Sequence, residues 1–169
     1  MPKNWLSIRV ELVSGRGTDF WPRPGRDFAT QRTHRFSHMA NAIDTAFARW
    51  DRSHLHQFVL ADGRRIGMAD YDDELGLIDG AATTLATLQP GEQFYYEFDF
   101  GDCWTHLCTV APDLIDPLDT LGIKPREPLP YFGWGAIPDQ YGRRWVDDPG
   151  DGELPPNPGV ADLPTGFPW

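Results

Sequence analysis

The stretch from Phe94 to Val110 constrains this chain more than any other part of it. It reads Phe94-Tyr95-Tyr96-Glu97-Phe98-Asp99-Phe100, then Gly101-Asp102, then Cys103 to Val110. Aromatic rings at every second position, broken by a glycine and an aspartate, specify two antiparallel strands. A helix would scatter those rings around its circumference, and a disordered segment would be poor in them. With Gly101-Asp102 as a two-residue loop, residues whose numbers sum to 203 face one another. That register puts Phe94, Tyr96, Phe98 and Phe100 on a core face with Cys103, Thr105, Leu107 and Thr109. Tyr95, Glu97 and Asp99 then share the polar face with Trp104, His106 and Cys108. Glu97 falls opposite His106, and Gly101 needs a positive φ.

Other segments supply the rest of a sheet. Leu6, Ile8, Val10 and Leu12 alternate with Ser7, Arg9 and Glu11, the period of a half-buried strand. Gly15 to Gly25 is rich in turn residues and leads to a short strand around Phe28. From Phe36 the period changes: Phe36, Met39, Ala40, Ile43, Phe47 and Trp50 recur at three and four, which predicts an amphipathic helix. Thr33 or His34 is its expected cap. Leu55–Leu60 and Arg64–Met68 flank Asp62-Gly63, a pair suited to a two-residue hairpin turn. Residues 70–80 read as an acidic loop, and Thr83–Leu88 as one or two helical turns stopped by Pro90-Gly91. The expected fold is α+β, with a largely antiparallel or mixed sheet and one main packed helix.

The last third differs. Twelve of the sixteen prolines fall within residues 112–169, which excludes a regular helix or a central strand there. Between Pro128 and Pro138 large aromatics alternate with breakers. An irregular arm is expected, with Tyr131, Phe132, Trp134, Tyr141 and Trp145 plugged onto the body. The chain then divides into one domain over residues 1–146, with its aromatic wrap from about residue 112, and a loose Pro/Gly-rich tail at 147–169. No internal repeat or second core-sized segment is present.

Charge is segregated. Residues 1–68 carry eleven Lys+Arg against six Asp+Glu (+5), and residues 69–169 carry four against nineteen (−15), for a net −10. Such acidity disfavours nonspecific nucleic-acid binding. Arg23, Arg26, Arg32 and Arg35 still lie close together in the basic part. They either meet the acidic half within the molecule or form a partner-binding basic patch. No apolar run is long enough to span a membrane, and no signal stretch opens the chain, so a cytoplasmic protein without a membrane partner is expected. Cys103 and Cys108 are too few for a disulfide framework and read as reduced core residues.

The polar face of the Phe94–Val110 hairpin is the candidate functional face. It collects Glu97, Asp99, Trp104 and His106, with Asp102 at the turn, and alternation puts His54 and His56 on one strand face. If the two hairpins are neighbours, three imidazoles and three carboxylates converge, a set that suits a divalent metal or acid–base work. The same residues also fit a cross-strand charge pair and a turn cap. His34 and His38, one helical turn apart, are a weaker pair. No His-Glu-x-x-His, phosphate loop, dinucleotide turn or serine elbow occurs, so no cofactor is evident beyond that option of a metal.

The strings Ala46-Phe47-Ala48-Arg49-Trp50-Asp51, Ser53-His54-Leu55-His56-Gln57-Phe58 and Phe98-Asp99-Phe100-Gly101-Asp102-Cys103-Trp104-Thr105-His106 resemble the Ri-plasmid ORF-three-like family. Within it the text is most similar to insertion-element passenger proteins labelled resolvases. The resemblance implies a compact α+β fold and no established activity. Gln57 stands where relatives carry Glu, Cys103 where Asp or Ser is common, and a C-terminal Cys-Pro-Pro-Glu-Asp string is absent. A recombinase needs a nucleophilic serine or tyrosine among arginines, and Tyr141-Gly142-Arg143-Arg144 supplies only a fragment. The sequence therefore points to a non-enzymatic interaction or accessory module of mobile elements with a protein partner. The alternatives are a metal-assisted hydrolase or nuclease and a DNA-binding accessory factor.

Overall fold

A computed structural model describes residues 4–68, 76–138 and Gln140. Tyr141, Trp145, the Tyr141–Arg144 string, the 147–169 tail and most of the acidic run after Ala69 lie outside the described residues. The strands are β1 (Trp5–Gly15), β2 (Thr18–Asp19), β3 (Gly25–Gln31), β4 (His56–Val59), β5 (Arg65–Gly67), β6 (Ile78–Asp79), β7 (Gln93–Phe98), β8 (Trp104–Val110) and β9 (Leu129–Trp134). All nine form one mixed sheet in the order β6-β5-β4-β7-β8-β1-β3-β9, with β2 paired to β1. Every pairing is antiparallel except β5 with β6. The helices are α1 (Phe36–Ala46), the main one, and a short α2 (Pro117–Leu121).

One face of the sheet carries the core. Leu6, Ile8, Val10 and Leu12 of β1, Phe58 of β4 and Phe94, Tyr96 and Phe98 of β7 are buried with Phe36, Met39, Ala40 and Ile43 of α1. The alternation in β1 and the apolar stripe of α1 are thus what join helix to sheet. The first-turn amides of α1 are taken up by the neighbouring loop: Phe36 N donates to Thr83 O and Ser37 N to Gly80 O. Arg35, not Thr33 or His34, is the cap residue, and its amide donates to His38 Nδ1 at 3.2 Å.

The helix stops four residues before Trp50. Ala48 N donates to Thr45 O and Arg49 N to Asp44 O, the two bonds of a Schellman motif, with Ala48 at φ 56° in the place glycine usually takes. The stripe continues in the sequence past this stop, which is why spacing alone overran it. Trp50 is exposed, and Arg49 turns inward.

The Phe94–Val110 hairpin exists, but its register is one residue away from the expected one. Phe98 pairs with Trp104 and Tyr96 with His106, so facing numbers sum to 202 and the loop is the five residues Asp99 to Cys103. Asp99 (φ 63°) and Cys103 (φ 54°) take the left-handed conformation; Gly101 does not. Asp99 makes this work: its Oδ1 accepts from the amides of Gly101 (2.9 Å) and Asp102 (3.3 Å), and Cys103 N donates to Asp99 O. A one-residue slip exchanges the faces of one strand. Trp104, His106 and Cys108 therefore join Tyr96 in the core, while Thr105 and Leu107 lie on the other face with Glu97 and Tyr95. Cys103 is exposed in the loop rather than buried, and both cysteines are free.

The second hairpin also forms, with a five-residue loop, Leu60–Arg64, rather than two residues, and Gly63 at φ 87°. The arm is more regular than its prolines imply. Leu129–Trp134 is a strand whose register against β3 shifts at Tyr131, and Pro130 is tolerated because β9 sits at the sheet edge. Trp134 is buried, donating Nε1–H to Arg23 O at 2.8 Å, and Tyr131 shares a hydrogen bond with Ser7; Phe132 stays exposed.

Candidate functional site

Where α1 ends and the chain turns back into β4, a cleft of about 170 Å³ opens. Helical spacing brings Ser37, Ala40, Asn41 and Asp44 to one wall, and β4 with its approach supplies His54 and His56. Phe98 and Met68 complete the lining with Arg52. Strand β4 is hydrogen-bonded to β7, so the two hairpins are indeed neighbours, with His56 opposite Phe98.

Asp44 is the group that spacing missed. It lies four residues after Ala40 and three before Phe47, on the apolar stripe, and a charged residue in that place is the signal that identifies it. The residue is 5% exposed. Its Oδ1 accepts from Tyr96 Oη at 2.9 Å, and burial lifts its carboxyl to about 7 against the opposing pull of Tyr96, Arg52 and Arg49. His56 stands in the same cleft with its ring against Tyr96, and burial lowers it to about 4, leaving a neutral imidazole at neutral pH. Among the described residues it has no hydrogen-bond partner.

His54 lies between two carboxylates, with Nε2 3.6 Å from Asp51 and Nδ1 3.5 Å from Asp99. Asp99 thus serves twice, closing the hairpin loop with one oxygen and facing His54 with the other. Gln140 holds the Asp51 backbone from both sides, donating to Asp51 O and accepting from Asp51 N. Arg52 spends its guanidinium on neutral acceptors: Arg49 O at 2.6 Å, Asn41 Oδ1 at 2.8 Å and Thr45 Oγ1 at 3.0 Å.

The remaining candidates are elsewhere. His106 is fully buried, its ring edge-on to Phe47 at 5.0 Å, with Nδ1 3.1 Å from Tyr96 O. Burial and the charge of Arg49 push it down to about 3. Trp104 lies beneath the Arg49 guanidinium, 4.0 Å from the ring centre. Glu97 is on the opposite face of the sheet beside Gln57 and Arg65, and burial raises its carboxyl. Asp102, at the loop, is 3.8 Å from Arg16. Three imidazoles and three carboxylates therefore do not converge, because the register slip carries His106 and Trp104 to the core face and leaves Glu97 alone on the other. Among the described residues no group of three or more His, Cys, Asp or Glu side chains stands ready to hold a metal ion.

The four arginines divide into two buried and two nearer the surface. Arg23 and Arg26 are buried: Arg23 is 3.6 Å from Glu11, and Arg26 donates to the carbonyls of Gly25, Trp134 and Gly135. Arg32 donates to Ala86 O and Leu88 O, and Arg35 to Ala81 O. Most of these bonds tie loops to the body, a use that clustering in the sequence does not reveal. His34 is buried against Trp5, its Nδ1 accepting from Gln31 N, so it does not chelate with His38. Among the described residues no helix is long and apolar enough to cross a membrane.

A family model described as plasmid pRiA4b ORF-3-like protein matches residues 6–121. No curated protein matches the chain. Among solved structures, the protein of unknown function MM3350 from Methanosarcina mazei Go1 is similar in fold, with a TM-score of 0.61 and 19% identity. The match covers 81% of this chain and 72% of that one.

Proposed function

The chain belongs to the plasmid pRiA4b ORF-3-like family, and from that premise we propose that it is a non-enzymatic recognition module working through the cleft beside α1. The observation that carries this reading is the pair Asp44 and His56. Both are polar, both line the cleft and are mostly withdrawn from water, and each keeps hydrogen-bonding capacity that no described residue uses. A buried polar group left without its full set of bonds is costly to the fold, and a ligand that completes the set is bound correspondingly well. The cleft has room for a single side chain, so a protein partner inserting one residue is the favoured occupant. An accessory role beside the recombination machinery of mobile elements rests on the resemblance to insertion-element passengers alone.

Catalysis is the weaker reading, since among the described residues the cluster that a metal-assisted hydrolase would use is dispersed. Direct duplex binding draws less support, since Arg23 and Arg26 are buried. The test is a fragment titration followed through the ring resonances of His54 and His56. Saturable shifts that disappear when His56→Trp fills the cleft support recognition; a cleft that no polar fragment enters overturns it.

A further inference from the structure

Taking the recognition reading as its basis, we infer that the cleft receives an alkylammonium group, the head of a lysine side chain or of a free amine. The argument starts from how the charges around Asp44 are allocated. The nearest guanidinium on the same wall, Arg52, gives its Nε, Nη1 and Nη2 to Arg49 O, Asn41 Oδ1 and Thr45 Oγ1. It makes no ion pair with Asp44. The single bond to the Asp44 side chain comes from a neutral phenol, Tyr96, leaving the second carboxylate oxygen open. A carboxylate withdrawn from water without a bonded cation either takes up a proton or waits for a cation, and burial lifts the Asp44 carboxyl in that sense.

The other walls fit the same occupant. His56 is neutral and offers an imidazole nitrogen that can accept one ammonium N–H, while the Asp44 oxygen accepts another. Phe98 presents an aromatic ring to the cation, and Met68 an apolar wall to the methylene stem. A guanidinium, planar and five-pronged, needs paired acceptors that the cleft does not supply; a compact ammonium suits one carboxylate oxygen and one nitrogen.

Binding of a cation draws the proton off Asp44, so affinity rises with pH through neutrality. The groups facing Asp44 are Tyr96 on β7, Arg49 and Arg52 on the segment after α1, and His56 and His54 on the β4 side, with Asp51 and Asp99 behind His54. With its value lowered to about 4, His56 stays neutral throughout the range that matters. A His54→Gln variant takes the second imidazole out of the cleft.

The experiment titrates full-length protein with n-butylammonium, 1-butanol, an acetyl-Gly-Lys-Gly-amide peptide and the same peptide acetylated on the lysine. Shifts of the His56 ring serve as readout. Butylammonium or the lysine peptide should bind, butanol and the acetylated peptide should not, and affinity should rise about tenfold from pH 6 to pH 8, in His54→Gln as well. Asp44→Asn keeps an acceptor for Tyr96 and should lower ammonium affinity at least about tenfold while the melting temperature holds. Binding of butylammonium without the peptide assigns a free amine as the source. Equal binding of the neutral ligands, a flat pH profile or an unaffected Asp44→Asn overturns the inference. If neutral fragments reach His56 and ammonium does not, the ammonium inference falls and recognition stands; if nothing reaches His56, both fall.

Discussion

The Leu60–Arg64 and Asp99–Cys103 loops both join neighbouring antiparallel strands, and both contain an aspartate beside a glycine. They differ in which residue adopts the left-handed backbone. In the first loop Gly63 does so, at φ 87°, and Asp62 accepts from Arg64 N. In the second, Asp99 and Cys103 do so while Gly101 stays in the ordinary region. A glycine between two strands locates a turn, but the residue that carries the positive φ decides the register. The register in turn decides which side chains see water.

Replacing Trp104 tests that difference most severely. In the observed register Trp104 fills the core beneath Arg49, so Trp104→Ala should cost about 3–5 kcal/mol in denaturant unfolding. On a solvent face the loss would be small. His106 gives the next largest effect. Its folded-state value, about 3, is depressed below the ordinary one, so the stability it contributes is present above about pH 6.5 and is lost as pH falls toward 3. Its ring resonances should stay flat from pH 8 to pH 4.5, and acid unfolding should be blunted in His106→Gln. A midpoint near 6.5 would return His106 to the polar face.

The glycines separate the two loops directly. Gly63→Ala forces a side chain into the left-handed region and should cost about 1–2 kcal/mol, although the space around it is open. Gly101→Ala asks for no such change and meets only Asp99 Oδ1 at 3.2 Å, so its cost should stay within about 0.5 kcal/mol. Equal thermal shifts in the two variants would erase the distinction. The smallest effect belongs to Asp99→Asn, which tolerates the left-handed region and keeps the amide acceptor; a few tenths of a kcal/mol are expected. Asp99→Ala, by contrast, loses both bonds and should melt lower than Asp99→Asn.

These loops also show why part of the molecule was readable in advance. Alternation in Leu6–Leu12 and Phe94–Phe98, and the stripe from Phe36 to Ile43, locate the sheet, the helix and the core, because period alone dictates a buried face. The end of α1 was not readable, since Ala48 rather than glycine takes the left-handed place. Nor was the face of His106, which depends on a register fixed by the Asp99 side chain and backbone. Of the candidate site, His54 and His56 were legible and do line the cleft. Asp44 was marked only by its position on an apolar stripe. The arginines were visible as charge, but carbonyl partners such as Trp134 O and Gly135 O lie far along the chain, where no local pattern ties them to Arg26.

The position of β1 has a consequence for how the protein is made. Its partner on one side, β3, follows within a short loop, but its partner on the other, β8, begins at Trp104, eighty-nine residues after Gly15. At about 5–20 residues per second, a ribosome needs roughly 4–18 s to deliver that second partner. Throughout that interval Ile8, Val10 and Leu12 lie on a strand whose far edge offers unpaired amides and carbonyls to any other nascent chain. Slower elongation lengthens this exposure, so yield in a host should depend on translation speed and chaperone supply even where the finished protein is stable.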